Sequence, residues 1–356
     1  MKFSILFPGL LCSILLLNSV SLAFETDQFN LPKVPLADIG EEVSEHLIEN
    51  LRLAVDSVNA NIAKSEACLA AKTKGCESPE KEREKLEHLH TDEAIADAFS
   101  KLIAGGNFMT TKFGKWLNSH EFRSQPARYT ADYRESIYVL NPFDFATISP
   151  TVRLYGHEFG VDKLEHLFQQ GHQYYDIVGD AIKKGSTPDE AVQKAIKWGQ
   201  KTERTYYGLW TSGVYSNADL FANYVGLKFY QNMTKPLEIA ETKRPPLVEL
   251  SNGNWKIVDK TLKEIILKPF ITDHMNEALN PSSYRPTLVG SVRRSVKKYA
   301  CSEWRNVPGL SPWELETKAA SLETWNGEQY GSTKRDRTVK LADICFEKVA
   351  KPTDSD

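Results

Sequence analysis

Helical spacing of apolar residues is the feature that most restricts how this chain folds. Between Glu41 and about Lys72, apolar side chains recur at steps of three or four residues, which places them on one face of a helix. These side chains are Leu47, Leu51, Val55, Val58 and Ile62. Comparable stripes occur later in the chain. We therefore expect a mostly α-helical protein: a helical bundle with an N-terminal disulfide-stapled helical hairpin and a small C-terminal β-hairpin.

The N-terminal segment has the composition of a secretory signal peptide. Lys2 supplies positive charge, an apolar run extends from Ile5 to Leu17, and Ser21-Leu22-Ala23 provides small residues for cleavage after position 23. The apolar run is too short for a membrane span, and no later segment approaches the roughly 20 apolar residues that a span requires. We therefore predict an exported chain, periplasmic or secreted, with no membrane span after cleavage.

Four cysteines follow the signal segment: Cys68, Cys76, Cys301 and Cys345. An even number of cysteines in an exported chain favours disulfides. Cys68 and Cys76 flank a short loop between two helical stretches, so we expect a local disulfide there and a second one between Cys301 and Cys345. A four-cysteine metal site is disfavoured because the CxxC spacing is absent from the sequence.

Charge and length restrict the function and the domain organisation. The chain has 44 Lys and Arg residues against 47 Asp and Glu, a net charge of -3, and the two signs are interspersed. Such a surface provides no basic field, so we exclude nucleic acid as a partner. We divide the chain into a signal peptide (1–23), an N-terminal helical region (24–106), a central helical domain with the candidate site (107–235) and a C-terminal region (236–356).

Three consecutive helices are expected in the central domain. The first extends over Val161–Lys183, the second starts at the cap Thr187 and extends to about Tyr207, and the third follows the cap Ser216. Glu203 falls where the apolar stripe of the second helix requires an apolar residue. A buried carboxylate at this position has to be paired, bound to a metal or protonated.

Short polar motifs in these helices suggest a shared site. The motifs are Asp162-Lys163-Leu164-x-His166, then Glu203, then Ser216-x-x-Asp219-Leu220-x-Ala222-Asn223-x-x-Gly226. Over residues 162–226 they resemble the VanZ-like (teicoplanin-resistance) proteins and related predicted periplasmic lipoproteins. Those relatives are small helical proteins, many of them embedded in membrane. The resemblance implies an envelope location and a polar cluster of Asp162, Lys163, His166, Glu203, Asp219 and Asn223, but no shared reaction.

Our most specific hypothesis is a hydrolase or lyase that acts on cell-wall glycan or peptide by carboxylate general acid/base chemistry. Glu203 is the expected proton donor, Asp219 or Asp162 is its ionised partner, and His166 completes the catalytic set. This hypothesis needs no cofactor, and its partner is a cell-envelope polymer or an envelope protein. The expected substrate-binding residues are Lys163, Asn223, Glu158 and Tyr207.

A non-catalytic periplasmic binding or interaction protein is the first alternative. In this interpretation Glu203 pairs with Lys163 or Arg204 in a structural polar core. Asp219 then only completes a capping box at the start of the helix that follows Ser216.

A metal-dependent hydrolase is the second alternative. His166, Asp162, Glu203 and Asp219 offer nitrogen and oxygen ligands that suit zinc or another divalent metal. A catalytic metal of this kind keeps one coordination position for water. The spacing of the residues alone does not choose between metal and proton chemistry.

Overall fold

The computed structural model of the protein describes residues 25–71, 76–107, 110–139, 148–258, 262–334 and 337–346. The predicted signal peptide, residues 1–23, lies outside the described residues, so export stays a prediction. Helices contain 55% of the residues and strands 11%, which confirms the expectation of a mostly helical protein. None of the described helices is long and apolar enough to cross a bilayer.

The helices of the N-terminal and central parts precede and surround the candidate site. They are α1 (Gly40–Ala71), α2 (Pro79–Leu89), α3 (Asp92–Ile103), α4 (Lys112–Ser119), α5 (Val161–Glu165), α6 (Gly171–Lys183), α7 (Pro188–Glu203) and α8 (Asn217–Thr234). A π-helical segment, His166–Gln170, connects α5 and α6. The C-terminal helices are α9 (Leu262–Ile265), α10 (Pro286–Ser295), α11 (Cys301–Arg305), α12 (Pro312–Ser321) and α13 (Leu341–Cys345).

The described strands form small antiparallel pairs. These pairs are β1 (Gly106–Asn107) with β2 (Thr110–Thr111), β3 (Thr151–Leu154) with β4 (His157–Gly160), β5 (Val214–Tyr215) with β10 (Ser283–Tyr284), β6 (Leu237–Ile239) with β7 (Thr242–Arg244), and β8 (Val248–Ser251) with β9 (Asn254–Ile257). The pair β8 and β9 is the predicted C-terminal hairpin. Its turn is Asn252-Gly253, where both residues have positive φ, 51° and 75°, as the tight turn of a hairpin requires.

The N-terminal hairpin of α1 and α2 is stapled as expected. Cys68 near the end of α1 forms a disulfide with Cys76, with a Cα–Cα distance of 5.5 Å. Ser78 caps α2 by accepting a hydrogen bond from the backbone nitrogen of Lys81, and Pro79 occupies the first helical position. The apolar stripe predicted for α1 is buried, so the hairpin packs against the rest of the protein through that face.

A continuous apolar core connects the three regions that follow the predicted signal peptide. Leu47 of the N-terminal region, Phe168 and Phe229 of the central domain, and Phe270 and Trp325 of the C-terminal region all belong to it. A second apolar cluster surrounds the disulfide between Cys301 and Cys345. The division into regions describes the sequence, and as a domain assignment it stays a prediction.

Two glycines allow α6 and α8 to pack with their backbones in close approach. A Cβ added at Gly171 lies 2.4 Å from the Cα of Gly226, and one added at Gly226 lies 2.1 Å from the carbonyl oxygen of Leu167. Backbone atoms cannot yield as a flexible side chain does. The pair therefore fixes the distance between the helices that carry His166 and Asp219.

We expect Gly171→Ala to lower the free energy of unfolding by about 1–3 kcal/mol, because the added methyl overpacks the α6–α8 contact. Urea denaturation measures the change. Gly290→Ala is the matched control, because this exposed glycine of α10 has open space around its Cα. The control is expected to be neutral or to stabilise by up to ~1 kcal/mol, as alanine is the better helix former. Equal losses in both variants contradict the proposed role of the close contact.

Candidate functional site

The first of the three helices predicted around the candidate site starts with α5. It begins at the site, and its geometry changes there. It starts at Val161, directly after β4, and places Asp162 and Lys163 in its first turn. The sequence predicts one regular helix over 161–183, but the structure has a π-helical segment that starts at His166. Such π turns insert an extra residue into a helix and occur frequently at functional sites.

Lys163 lies at the middle of the site and is fully buried. Its Nζ is 2.5 Å from Asp162 Oδ2, 2.5 Å from Asp219 Oδ1 and 2.7 Å from Glu277 Oε1. Nζ donates hydrogen bonds to Asp162 and Glu277 and forms an ion pair with Asp219. Burial alone lowers the pKa of Lys163, but the adjacent carboxylates raise it well above its usual value. The lysine therefore stays charged.

Ser216 links the start of α8 to two further carboxylates. Its Oγ accepts a hydrogen bond from the backbone nitrogen of Asp219 at 3.0 Å and donates one to Glu277 Oε1 at 2.8 Å. Its backbone nitrogen donates to Glu203 Oε2 at 3.3 Å. The helix cap predicted at Ser216 is confirmed. Asp219 does not complete a capping box, because its carboxylate reaches Lys163 instead.

His166 faces Asp219 with one ring nitrogen and Asn223 with the other. Its Nδ1 is 3.0 Å from Asn223 Oδ1, and its Nε2 is 3.6 Å from Asp219 Oδ2. An amide oxygen only accepts hydrogen bonds, so we assign the ring hydrogen to Nδ1. In this tautomer the lone pair of Nε2 points towards the carboxylate of Asp219. A lone pair beside a carboxylate requires a proton or a cation between them.

Several buried carboxylate oxygens have no hydrogen-bond partner in the described part of the protein. In this site they include Oε1 of Glu203, Oε2 of Glu25 and Oε2 of Glu277. Oδ1 of Asp219 also lacks a hydrogen bond, although it forms an ion pair with Lys163. The side chains of Glu203, Glu25 and Glu277 are 1%, 3% and 1% exposed. An unpartnered polar atom in such surroundings costs about 1–3 kcal/mol, and more when it is charged. We call the five acids Glu25, Asp162, Glu203, Asp219 and Glu277, together with Lys163, the carboxylate centre.

The surroundings of each acid in the carboxylate centre shift its pKa by a different amount or in a different direction. Burial raises the pKa of Glu203 well above its usual value, and the negative charge of Asp219 raises it further. Burial and the charges of Asp219 and Glu277 raise the pKa of Glu25 in the same way. Burial raises the pKa of Glu277 to about 6. Burial also raises the pKa of Asp219, but the electrostatic interactions with His166 and Lys163 outweigh it and lower this pKa below its usual value.

Two groups of potential metal ligands lie in the centre and share one residue. Ligand atoms of His166, Glu203 and Asp219 lie within 4.8 Å of one another, and so do those of Glu25, Asp219 and Glu277. We call these the histidine triad and the glutamate triad. All members are buried.

A third group of the same kind lies near the surface and provides a comparison. His172 contacts Asp97 through Nε2 at 3.1 Å and Asp176 through Nδ1 at 3.3 Å. Both ring nitrogens are therefore engaged by carboxylates, of which that of Asp176 is 53% exposed. This arrangement is a surface ion pair, whereas the two triads of the centre have unpartnered oxygens.

The structure brings three of the four predicted catalytic residues together. Glu203, Asp219 and His166 form the histidine triad. Asp162 contacts the centre through Lys163, and its other oxygen accepts a hydrogen bond from Thr26 Oγ1 at 2.6 Å. Asp162 belongs to neither triad among the described residues, and its place in the alternative metal set stays a prediction.

Two predicted substrate-binding residues lie in the centre but are buried. Lys163 is 0% exposed and Asn223 is 2% exposed, so they hold other side chains in place. The alternative in which Glu203 pairs with Lys163 is also corrected: the ion pairs of this lysine go to Asp162, Asp219 and Glu277. Arg204 is exposed directly after α7.

The remaining predicted substrate-binding residues, Glu158 and Tyr207, have contacts elsewhere. Glu158 lies in β4 opposite Arg153, and its backbone oxygen accepts a hydrogen bond from Asn276. Tyr207 packs its ring near that of Trp198. No described contact joins either residue to the carboxylate centre, and their roles stay predictions. The helix expected to extend to Tyr207 ends at Glu203, where a series of turns begins.

Sequence reasoning missed two acids of the centre, Glu25 and Glu277. Glu25 lies two residues after the predicted signal peptide, in an extended segment. Glu277 follows a short 3₁₀ turn, Asp273–Met275, in a segment without helical periodicity. The spacing of residues gives no signal for either position, because both reach the centre through tertiary packing.

Access to the centre is narrow. Among the centre and the histidine beside it, the most exposed residues are His166 at 9% and Asp162 at 5%. A separate cleft of about 350 Å³ lies beside the start of α8, and its wall includes Asn217 and Asn280. These residues are two and three positions away from Asp219 and Glu277 along the chain. The cleft is therefore lined by neighbours in sequence of two acids of the centre, but not by the acids themselves.

Comparison of the chain with protein-family models finds no match. Comparison with curated proteins and with solved structures also finds none. The resemblance to VanZ-like proteins stays a prediction from short motifs. What the centre does has to be inferred from its own geometry.

Proposed function

We propose that the protein is an exported hydrolase of cell-wall glycan or peptide, and that a divalent cation in the histidine triad activates the attacking water. One observation carries this proposal. The buried carboxylate of Glu203 has an unpartnered oxygen and lies within 4.8 Å of the ligand atoms of His166 and Asp219. A cation at this position supplies the missing partner.

The ligand set suits a catalytic cation. One imidazole and two carboxylates are ligands that zinc and manganese accept, and three protein ligands leave a position for water. Such a cation lowers the pKa of bound water to about 7, which generates a nucleophile at neutral pH. Asn223 accepts the Nδ1 hydrogen of His166 and so orients the ring with Nε2 inward. This support of a ligating histidine is common in metal sites.

The envelope substrate is supported by the predicted signal peptide and by the two disulfides, which persist in oxidising compartments. The balanced charge of the chain disfavours polyanionic substrates such as nucleic acid. The cleft beside α8 is the expected place for a glycan or peptide chain.

Chelation and one substitution test this proposal. The purified protein is treated with a chelator, reloaded with Zn²⁺ or Mn²⁺ and incubated with purified peptidoglycan, and mass spectrometry measures the soluble fragments. We expect turnover to disappear on chelation and to return with the metal. Glu203→Gln is expected to lower the affinity for the metal by more than the roughly 10–100-fold that loss of an outer-shell partner costs, and turnover accordingly, because it removes a charged ligand. His172→Ala is the matched control and should keep full turnover.

Two results contradict parts of the proposal. If turnover resists chelation but is lost in Glu203→Gln, the mechanism uses proton donation by Glu203 and not a cation. Absence of turnover on every envelope polymer, in a protein that binds the metal, contradicts the hydrolase.

A second candidate function is a binding or interaction protein with a structural polar core. Near-complete burial of Lys163 and its three acid partners favours it, since a buried ion network can fix a unique fold without performing chemistry. This candidate predicts saturable binding to an envelope polymer or protein and no turnover.

A further inference from the structure

We infer that the carboxylate centre binds a second divalent cation in the glutamate triad of Glu25, Asp219 and Glu277, so that Asp219 bridges two ions. The inference rests on the proposed function only for the place of the first ion. Its substance is a site for a pair of ions about 3.5–4 Å apart, the separation typical of two-metal hydrolytic sites.

The carboxylate centre contains more negative than positive groups. The centre gathers five carboxylates around a single ammonium group, all of them at least 95% buried. With His166 neutral, full ionisation leaves four negative charges in a buried region. One divalent cation neutralises half of this excess, and two neutralise all of it. Protonation also removes such charge, and burial raises the pKa of Glu25, Glu203 and Glu277. Bound cations displace these protons and provide the other balanced state.

The second argument is the position of the unpartnered oxygens. Lys163 and Ser216 both bind Glu277 through Oε1, which leaves Oε2 without a partner. Glu25 has its own unpartnered oxygen, Oε2. Ligand atoms of these two glutamates and of Asp219 lie within 4.8 Å of one another. Glu277 therefore keeps one oxygen that neither Lys163 nor Ser216 engages.

Hydrogen bonds around the glutamate triad hold its members in place. Gln28 lies three residues after Glu25 along the chain. Its side-chain oxygen accepts a hydrogen bond from the backbone nitrogen of Glu277. The backbone oxygen of Glu25 accepts one from the backbone nitrogen of Ser149 at 2.9 Å. The extended segment at 25–28 is thus anchored on both sides, and the triad is preorganised.

The ligand chemistry selects the probe. The glutamate triad offers only carboxylate oxygens, which suit Mg²⁺, Ca²⁺ and Mn²⁺, whereas the histidine triad adds an imidazole nitrogen, which suits Zn²⁺ and Mn²⁺. Mn²⁺ fits both triads. Mn²⁺ is also paramagnetic. Two Mn²⁺ ions joined by a carboxylate therefore give a spin-coupled electron paramagnetic resonance spectrum, which isolated ions do not give.

The experiment measures how many Mn²⁺ ions each protein molecule retains. The full chain is stripped with a chelator, loaded with Mn²⁺, passed through a desalting column and analysed for metal and protein. We expect two ions and a spin-coupled spectrum. Glu25→Gln, whose unpartnered oxygen makes no contact with Lys163 in the described structure, should retain one ion and give an uncoupled spectrum. His166→Ala should also retain no more than one.

The remaining variants separate the shared ligand from the surface. Asp219→Asn should lose both ions, and a thermal unfolding transition checks that each variant is folded. His172→Ala is the matched control and should keep two ions. Loss of an ion in His172→Ala places that ion in the surface group and overturns the inference.

The two proposals fail in different ways. One retained ion that Glu25→Gln does not affect, but His166→Ala removes, overturns the second site and leaves the proposed function intact. No retained ion in the wild type overturns both metal sites, and the turnover assay after chelation then decides on a metal-free hydrolase.

Discussion

Replacing Lys163 with Met is expected to destabilise the protein by about 3–5 kcal/mol, which is enough to unfold many domains. Met preserves most of the length and apolar character of the lysine side chain but removes the ammonium group. Asp162, Asp219 and Glu277 then lose their common partner at 2.5–2.7 Å in a fully buried position. Urea denaturation followed by circular dichroism measures the loss.

Lys183→Met is the matched control for this prediction. Lys183 forms a single ion pair with Glu93 at 2.9 Å, and its side chain is 66% exposed. Surface pairs of this kind contribute 0–1 kcal/mol, so the control should lose less than ~1 kcal/mol. If the two variants lose the same amount, Lys163 does not hold the carboxylate centre together.

Removal of the disulfide between Cys301 and Cys345 is expected to lower the free energy of unfolding by about 4 kcal/mol. This is the second of the two largest effects that we expect. The two cysteines are 44 positions apart, and closure of a loop of that length restricts the unfolded chain strongly. Both are buried in the second apolar cluster together with Trp304. The double variant Cys301→Ser/Cys345→Ser, compared with the wild type in urea denaturation, measures the effect.

The disulfide between Cys68 and Cys76 provides the comparison within the same chain. Its cysteines are only 8 positions apart, so the corresponding double serine variant should lose about 2.5 kcal/mol by the same loop-closure relation. A larger loss for the short loop than for the long one contradicts the explanation from loop length.

The sequence predicts those elements of the fold that depend on local signals. The capping box of Thr187 and Glu190 defines the start of α7, and both of its hydrogen bonds are present. Asn252-Gly253 predicts the turn between β8 and β9 because only a few residues adopt positive φ there without strain. Periodicity of apolar residues predicts α1 for the same reason: each signal lies within a few residues of the feature that it determines.

The end of α7 depends on contacts made by the turn that directly follows the helix, and the sequence predicts this end wrongly. Leu209 donates its backbone hydrogen to the carbonyl oxygen of Glu203, which folds the chain back at the helix end. A Cβ at Gly208 lies 2.7 Å from Glu203 Oε2, so only glycine fits against this carboxylate. Helical propensity does not contain this information, because the turn exists to cover a buried acid.

The candidate site was predicted in part, for a comparable reason. Helical spacing indicates that Lys163, His166, Glu203 and Asp219 occupy the inner faces of three neighbouring helices, and the structure joins them. Spacing does not indicate which side chains contact Lys163. That information resides in packing between helices and extended segments, and it separates Asp162 from the histidine triad.

The carboxylate centre draws its acids from positions as distant as Glu25 and Glu277, and this has a consequence for when the protein acquires its ions. No fragment that ends before Glu277 contains the complete carboxylate centre, and the segment 162–226 that carries the predicted resemblance includes only the histidine triad. Under the predicted export, the chain completes its fold outside the cytoplasm. We then expect the metal supply of that compartment to determine which ions fill the proposed sites.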